Sequence, residues 1–405
     1  MVAMMAVEDR AALIETAAGV DSGRAWLVVA ATFISTATVF GVTYSFTTFL
    51  DAMTEEFDAG NGATALLFGL TIFFLFVLGL PAGRASDRWG PRPVVLVGCA
   101  SIVAGLLLTS IVDRLPLGYL TYGLGIGVGT ACCYVPMVSQ VSGWFDRRRA
   151  AALGVAVSGI GVGTLVGPPL ANRLIEEYGW RSTYRIFAVI AVVGLLIAAA
   201  LVARAPIAVG QAPLDLGLVV RQPIFRSLYI SGLLMTIALF VPFVFLAPYA
   251  EDHGVSDGAA ASLVSFLGVG SLAGRLVLAP LAGRLGVLVL YQLCFVVLGA
   301  SFLIWLAGGG RFVVLATFAV VLGLSYGGYV ALSPAATAEL FGLAGLGAVL
   351  GALYTAGGIG GLIGPPVAGA VIDSAGGYDV AIIGAFALSA VAVLILHRAI
   401  RATAH

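Results

Sequence analysis

Residues 163–171 of this 405-residue chain read GTLVGPPLA, and residues 360–368 read GGLIGPPVA. The two stretches are 197 residues apart, which is close to half of the chain, and the same interval pairs Gly154 with Gly351. Similarity at a fixed interval is the sequence signature of an internal structural repeat. The chain is therefore predicted to consist of two similar halves.

The composition places both halves in a membrane. The chain is 60% hydrophobic and 10% charged, with a net charge of zero and a mean hydropathy of +1.09. Soluble domains carry about 25% charged residues, so this chain could not cover a soluble surface with charge. These values exclude a soluble enzyme, a disordered linker protein and a protein that binds nucleic acid through a basic surface.

Twelve stretches are long and apolar enough to cross a bilayer. A hydrocarbon core of about 30 Å needs about 20 helical residues, and backbone groups in lipid must find internal partners. The predicted spans, numbered 1 to 12 in chain order, are residues 25–50, 62–82, 93–112, 117–143, 150–174, 184–203, 227–249, 259–283, 286–308, 311–334, 346–371 and 379–399. The predicted fold is an all-α membrane protein with twelve transmembrane helices in two pseudo-symmetric, six-helix halves.

The arginines predict the orientation in the membrane. All 20 basic residues are arginine; fourteen fall on the side of the termini, five on the opposite side and one within span 8. Because cytoplasmic loops carry an excess of positive charge, both termini are predicted to lie in the cytoplasm, in an inner or plasma membrane. The predicted segments are a cytoplasmic N-terminal segment 1–24, a first half 25–203, a cytoplasmic linker 204–226, a second half 227–399 and a cytoplasmic tail 400–405.

A charged motif follows span 2. Residues 83–92 read GRASDRWGPR, which resembles the G-x-x-x-D-R-x-G-x-R loop signature of the major facilitator superfamily. The resemblance implies the major facilitator fold, in which alternating access occurs between two halves. It also implies a conformational, gating role for Gly83, Asp87, Arg88, Gly90 and Arg92 at the cytoplasmic side.

Several further stretches carry a narrower resemblance that extends over most of the chain. Residues 21–26 (DSGRAW), 145–150 (FDRRRA) and 179–181 (GWR) are similar to the first-helix lead-in and two loops of monocarboxylate transporters. Residues 353–356 (LYTA) resemble the eleventh helix of the oxalate:formate antiporter branch. The resemblance implies secondary active transport of a carboxylate.

Arg275 is the one charge placed deep in a predicted span. A mid-helix arginine costs about 2.5–3.5 kcal/mol on insertion, so it is predicted to face a cavity or a partner. Gly268 and Ser271 share its helical face and form a small, polar stripe suited to a water-filled site. A guanidinium binds a carboxylate through two parallel hydrogen bonds. The alternative is that Arg275 reaches to the membrane interface, about eight residues away.

The resemblance gives Arg275 a role, because the relatives place a substrate-binding arginine in helix eight. Three positions depart from their pattern. Ser271 and Tyr44 stand where the animal transporters carry an Asp and a Lys that handle the proton, and Gly357 stands where the antiporter carries a second cation. A single cation predicts a substrate with one carboxylate rather than two.

A second set of predicted substrate contacts is aromatic. Helices one, four, ten and eleven line the central cavity in the superfamily, and a tyrosine can pack an alkyl group while its hydroxyl binds an oxygen. The candidates are Tyr44, Tyr122, Tyr134, Tyr326 and Tyr354. Tyr326 aligns with an aromatic substrate contact of the relatives. For each of them, ordinary helix packing is the alternative.

Acidic residues and histidines are missing from the interiors of the predicted spans. The Asp and Glu residues fall in loops or at helix ends, and the histidines are His253, His397 and His405. Proton symport would therefore need the carboxyl group of the substrate or a tyrosine as proton carrier. The four cysteines show neither metal-ligand spacing nor a disulfide pattern. No metal, cofactor or obligate protein partner is predicted.

The predicted function is secondary active transport of a small monocarboxylate such as lactate or pyruvate, by proton symport or anion exchange. The alternative is a major-facilitator efflux pump for drugs or neutral solutes. Residues 323–327, GLSYG, fit the G-x-S-x-G nucleophile pattern, which makes an intramembrane hydrolase a remote alternative. That chemistry requires a strand–turn–helix and a nearby histidine, neither of which the sequence predicts here.

Overall fold

The computed structural model of the chain describes residues 21–145, 148–206, 216–342 and 346–403. Most of the predicted N-terminal segment, Arg147 and the middle of the linker lie outside these ranges, as does His405. The described residues are almost entirely helical.

The first half contains spans 1 to 6. Span 1 consists of the helix Gly23–Tyr44, the 3-10 turn Ser45–Phe49 and the helix Leu50–Glu56, and spans 2 and 3 are the helices Asn61–Trp89 and Pro91–Thr109. Span 4 consists of the short helix Leu115–Gly118, the π-helical turn Tyr119–Leu124 and the helix Gly125–Trp144. Spans 5 and 6 form the continuous stretch Arg149–Leu201. The short helix Leu216–Arg221 follows in the linker.

The second half contains spans 7 to 12. Its elements are Pro223–Leu239 and Pro242–Asp252 in span 7, Asp257–Leu285 in span 8, Val287–Leu306 in span 9, Phe312–Phe341 in span 10, Leu346–Ala375 in span 11 and Asp379–Thr403 in span 12. Most spans extend beyond their predicted limits, because the helices continue past the apolar core into polar ends. The helices of spans 3, 6 and 9 end at Thr109, Leu201 and Leu306, two or three residues before the predicted ends.

Within the described ranges, eleven helical stretches are long and apolar enough to cross a membrane. One of them, Ala151–Leu201, has 51 residues, and at 1.5 Å per residue it would be about 77 Å long, more than twice a bilayer core. Gly179 interrupts it with a φ of 76°, a conformation that favours glycine. The chain therefore crosses the membrane twelve times, as predicted.

The repeated glycines serve helix packing in both halves. A Cβ atom placed on Gly163 would overlap the carbonyl oxygen of Ala37 in span 1 and lie 2.7 Å from the Gly41 nitrogen. Its repeat partner Gly360 packs on span 7 in the same way, where a Cβ atom would overlap the Thr236 hydroxyl. Small residues let helix backbones approach closely in membranes. The repeat thus builds the same contact twice, spans 1 and 5 in one half and spans 7 and 11 in the other.

With twelve crossings, Gly23 and Thr403 lie at the same membrane face, here called the termini face; the other is the distal face. The halves pack together toward the distal face. A Cβ atom placed on Gly62 of span 2 would lie 2.8 Å from the carbonyl oxygen of Pro366 in span 11. Between spans 5 and 8, the Ser265 hydroxyl donates to the carbonyl of Leu165 at 2.6 Å.

The halves are separated toward the termini face. Cβ atoms placed on Gly154 of span 5, Gly283 of span 8 and Gly351 of span 11 would have no described neighbour within 4 Å. The same helices are tightly packed closer to the distal face. The described hydrogen bonds between the halves likewise lie at mid-depth or nearer the distal face, as in a conformation closed at the distal face and open toward the termini face.

Candidate functional site

A cavity lies between the two halves at mid-depth. It is lined by Phe40, Tyr44, Ile72, Leu75, Phe76, Tyr134, Ile160, Thr236, Leu239, Phe240, Tyr326, Tyr329, Val330, Ser333, Tyr354 and Gly357. Its volume of about 60 Å³ has room for several water molecules or a small solute. Most of the lining is aromatic or aliphatic, and its polar side-chain groups are hydroxyls.

Arg275 lies beside this cavity, behind Tyr326. The guanidinium carbon is 5.9 Å from the centroid of the Tyr326 ring, and the residue is 3% exposed. Nη1 donates a hydrogen bond of 2.6 Å to the backbone carbonyl of Val157 in span 5. The side chain therefore turns into the protein, toward the opposite half, and does not reach to the membrane interface.

The guanidinium of Arg275 is only partly satisfied. Nε and Nη2 have no hydrogen-bond partner among the residues that the structure describes. These two nitrogens form one edge of the planar group, and their N–H bonds point the same way. A buried cation without a partner is unfavourable in an apolar environment, so this edge would be stabilised by an anion.

Ser271 lies one helical turn from Arg275, on the side nearer the distal face. Its hydroxyl is buried and also lacks a described partner. Gly268, the third member of the predicted polar stripe, differs from the prediction. A Cβ atom placed on it would lie 2.9 Å from the carbonyl oxygen of Gly161, so this position is a helix contact between the halves. The polar part of the stripe is limited to the turn from Ser271 to Arg275.

Four of the five predicted tyrosines meet at the cavity. Tyr44 from the first half and Tyr326 from the second have their hydroxyl oxygens 3.2 Å apart. Tyr134 and Tyr354 line the same cavity from spans 4 and 11. The cavity therefore offers several hydroxyl groups within an apolar surface.

Tyr122 is placed elsewhere. It is fully buried inside the first half, with its ring centroid 5.4 Å from that of Phe46 and 5.7 Å from that of Tyr184. It belongs to the π-helical turn Tyr119–Leu124, which holds more residues per turn than an α-helix. Its side chain packs within the first half, 12 residues from Tyr134 along span 4, and it is not among the residues that line the cavity.

The charged motif after span 2 lies at the termini face. The carbonyl of Asp87 accepts a hydrogen bond from Nη2 of Arg204, at the start of the linker. The guanidinium carbon of Arg88 is 5.7 Å from the centroid of the Trp89 ring. Gly90 ends span 2 with a φ of 92°. These contacts are all within the first half and the linker, and the gating role of the motif stays a prediction.

Gln140 is a buried polar residue that was not predicted from the sequence to have a role. It is 5% exposed in span 4; its Oε1 accepts a hydrogen bond of 2.7 Å from the Ala205 nitrogen, and its Nε2 donates to the Ser86 hydroxyl at 3.4 Å. It ties the start of the linker to spans 2 and 4. An amide side chain within an apolar span was the available signal, because such groups form hydrogen bonds between helices.

The GLSYG segment lies inside the continuous helix Phe312–Phe341. The hydroxyl of Ser325 donates to the carbonyl of Val321 at 3.0 Å. A Cβ atom placed on Gly323 would lie 3.0 Å from the Ser271 nitrogen, so this glycine lets span 10 pack against span 8. The strand–turn–helix that a nucleophile elbow requires is replaced here by helix packing.

Comparison with known proteins agrees with this architecture. The sequence profile described as the Major Facilitator Superfamily matches residues 32–286 and again residues 228–404. Together the two matches take in all twelve spans, apart from the beginning of the first. This chain belongs to the major facilitator superfamily.

Relatives within the major facilitator superfamily include monocarboxylate transporters. Monocarboxylate transporter 3 of Rattus norvegicus is 31% identical over an alignment of 381 residues, which covers 89% of this chain and 76% of the relative. Monocarboxylate transporter 12-B of Danio rerio is 29% identical over an alignment of 420 residues, gaps included, which covers 94% of this chain and 88% of the relative. A relative named only MFS-type transporter, from Gibberella moniliformis, is 32% identical over 327 residues, 79% and 78% of the two chains.

A solved major-facilitator structure confirms the fold. It is a bacterial homolog of the human lysosomal transporter Spinster, in an inward-facing and occupied conformation. The similarity has a TM-score of 0.69 and covers 93% of this chain and 97% of the other at 18% identity. The chain is thus a multi-pass membrane transporter, and the predicted resemblance to the branch that contains monocarboxylate transporters is confirmed.

Proposed function

We propose that this transporter carries a small monocarboxylate that binds to Arg275. One observation carries the proposal: Val157 holds Nη1, while Nε and Nη2 have no partner in the described part of the chain. A carboxylate accepts two parallel N–H bonds along such an edge. The edge is held in place before substrate binds, which reduces the entropy lost on binding.

The charge of the site supports a substrate with a single carboxylate. No basic or acidic residue is among those that line the described cavity, and Arg275 lies beside it. Gly357 lines it from span 11, and a Cβ atom there would lie 3.3 Å from the Phe76 ring. A second cation at this position would have to displace that ring. One guanidinium then balances one carboxylate.

Alternating access provides the mechanism of transport. If the termini face is cytoplasmic, as the arginine distribution favours, the described conformation is the inward-facing one in an inner or plasma membrane. Neutralisation of Arg275 by the bound anion would stabilise the conformations in which the site is closed to water. A ligand changes such an equilibrium only through its different affinity for the two states.

The coupling is either proton symport or anion exchange. The cavity lining contains hydroxyl groups but no carboxylate or imidazole. In symport, the proton would travel on the substrate carboxyl or on a tyrosine. In exchange, a second carboxylate would occupy Arg275 on the return step.

The test is uptake of labelled L-lactate into proteoliposomes, with and without an inward-directed proton gradient. Arg275→Lys keeps the charge but removes the planar edge and its two parallel hydrogen bonds, and a hydrogen bond to a charged group contributes about 1.5–3 kcal/mol. We expect uptake to fall at least about 30-fold at low substrate concentration. Arg311→Lys is the matched control, because Arg311 also donates to backbone carbonyls but lies at the distal face. Wild-type uptake by Arg275→Lys, or no uptake of any monocarboxylate by the wild type, would overturn the proposal.

Efflux of drugs or neutral solutes is the second candidate, because most of the cavity lining is apolar. Competition by a matched acid, its methyl ester and its amide separates the two functions. Inhibition by the acid alone supports carboxylate transport. Equal inhibition by all three supports the efflux pump. Retained transport by Ser325→Ala would count against a hydrolase.

A further inference from the structure

At the distal face, the beginning of span 2 lies against the last turns of span 11. Span 2 begins at Asn61, and its N-cap residue Gly60 has no side chain to accept a hydrogen bond from the helix. Asp373 of span 11 takes this place. Its Oδ1 accepts a hydrogen bond of 2.8 Å from Asn61 Nδ2, and its Oδ2 accepts one of 3.4 Å from the Gly62 nitrogen.

Glycines at this contact make room for the carboxylate and the facing helix. A Cβ atom placed on Gly60 would lie 2.7 Å from Asp373 Oδ2, and one placed on Gly62 would lie 2.8 Å from the Ala370 nitrogen. A Cβ atom on Gly369 would lie 2.5 Å from the Gly62 nitrogen. Side chains at these three positions would separate the helices and remove the contact.

The chemistry of the contact is that of a helix cap. The first N–H groups of a helix have no intrahelical partner, and a carboxylate there accepts their hydrogen bonds and interacts with the positive end of the helix dipole. Here the capping residue is 311 positions away in sequence, in the other half of the molecule. The cap therefore exists only while the halves are together at the distal face.

We propose that Asp373 is a distal-face latch, which caps span 2 across the boundary between the halves and stabilises the conformation open toward the termini face. The latch acts on the equilibrium between the two conformations. It therefore goes beyond the proposed substrate and does not depend on it.

The internal repeat supplies a matched comparison. The 197-residue interval pairs Asp373 with Glu176, at the distal end of span 5. Glu176 Oε1 accepts a hydrogen bond of 2.6 Å from Asn172 Nδ2 on its own helix. Span 8, which faces span 5, begins after Ser256 without a side-chain cap hydrogen bond. The repeat therefore has a carboxylate at both positions, and only the one on span 11 forms the cap between halves.

The test measures distances across the distal face in the full-length protein, without substrate. Spin labels are attached at Asp58→Cys and Asp379→Cys in a background that has the four native cysteines replaced by alanine, in lipid nanodiscs. Loss of a helix cap changes an equilibrium by about fivefold. We expect Asp373→Ala to raise the ratio of distal-open to distal-closed molecules by about that factor.

Two variants separate the latch from a general effect of removing a charge. Asp373→Asn should shift the ratio less than Asp373→Ala, because its one acceptor oxygen can still cap the helix. Glu176→Ala should leave the ratio unchanged. Should Asp373→Ala not fold, Asn61→Ala removes the 2.8 Å bond and should shift the ratio in the same direction by a smaller factor. The proposal would be overturned if the variant that folds had the wild-type ratio of distal-open to distal-closed molecules. It would also be overturned if Glu176→Ala shifted this ratio as much as Asp373→Ala does.

Discussion

The hydroxyl oxygens of Tyr44 and Tyr326 lie 3.2 Å apart, and they join the first half of the transporter to the second at the cavity. Both residues are buried, and the Tyr44 ring centroid is 4.6 Å from that of Phe243 in span 7. This hydrogen bond connects spans 1 and 10, and the guanidinium carbon of Arg275 is 5.9 Å from the centroid of the Tyr326 ring. The proposed binding site and the contact between the halves therefore share a side chain.

The tyrosine pair should show energetic coupling. Tyr44→Phe and Tyr326→Phe each leave the partner hydroxyl without its hydrogen bond, which should lower the free energy of unfolding by about 1–3 kcal/mol. The double variant leaves no unpaired hydroxyl and should lose less than the sum of the two. Reversible unfolding of the four proteins in mixed micelles measures this difference. Strictly additive losses would show that the two hydroxyls do not interact.

Monocarboxylates should stabilise the folded protein through Arg275. A ligand that binds only the folded state raises stability by RT ln(1 + [L]/Kd), about 2.7 kcal/mol at a concentration of 100 Kd. We expect lactate to raise the unfolding temperature of the wild type and of Arg311→Lys, and to have little effect on Arg275→Lys. The lactate methyl ester, which carries no charge, is the ligand control. A similar rise in Arg275→Lys would place the carboxylate elsewhere.

The glycines of the repeat should not tolerate larger side chains. Gly163→Val and Gly360→Val each force atoms into a backbone or side chain of the facing helix, and overpacking typically costs about 1–3 kcal/mol. We expect a lower yield of monodisperse protein and a lower unfolding temperature for both. Gly154→Val, on the same helix as Gly163 but without a neighbour within 4 Å, is the control. If all three variants lowered the unfolding temperature equally, the cause would be the helix propensity of valine and not packing.

Arg181 should matter more for stability than its ionic partner. The Arg181–Glu56 distance is 3.0 Å, and both side chains are partly exposed, so the ion pair contributes only about 0–1 kcal/mol. Arg181 also donates to the carbonyls of Ser110 and Val112, just after span 3. Glu56→Gln should therefore lower stability slightly, and less at high salt, because salt screens exposed charges.

Arg181→Ala should lower the unfolding temperature further, by an amount that salt changes little. Thermal unfolding of the three proteins at about 0.05 M and 1 M salt tests both statements. Equal effects of the two substitutions at both salt concentrations would contradict the assignment of the carbonyl contacts.

The fold was predictable because its signals are local or periodic. Apolar segments of the length of a bilayer core predicted the twelve spans, and the repeat at 163–171 and 360–368 predicted the two halves. Arg275 was noticeable for the same reason, since a charge within an apolar segment stands out without knowledge of its neighbours. The family resemblance then added the expectation of a site between the halves.

The parts that were not predictable depend on contacts between residues that are distant in sequence. Tyr122 packs against Phe46 and Tyr184 inside the first half, and its position in span 4 did not indicate this. Gly268 packs against Gly161 instead of facing water. The role of Asp373 depends on Asn61, 312 residues away, and nothing in its local sequence distinguishes it from any other acid at a helix end.

The burial of Arg275 has an electrical consequence. It is the one charged side chain among the fully buried residues of the described ranges. A carrier that returns empty would move this positive charge through part of the membrane field, whereas a carrier loaded with a monocarboxylate would move a neutral pair. A charge that crosses the whole field gains or loses about 2.3 kcal/mol per 100 mV. Membrane voltage should thus act on the empty return step and leave one-for-one exchange almost unaffected.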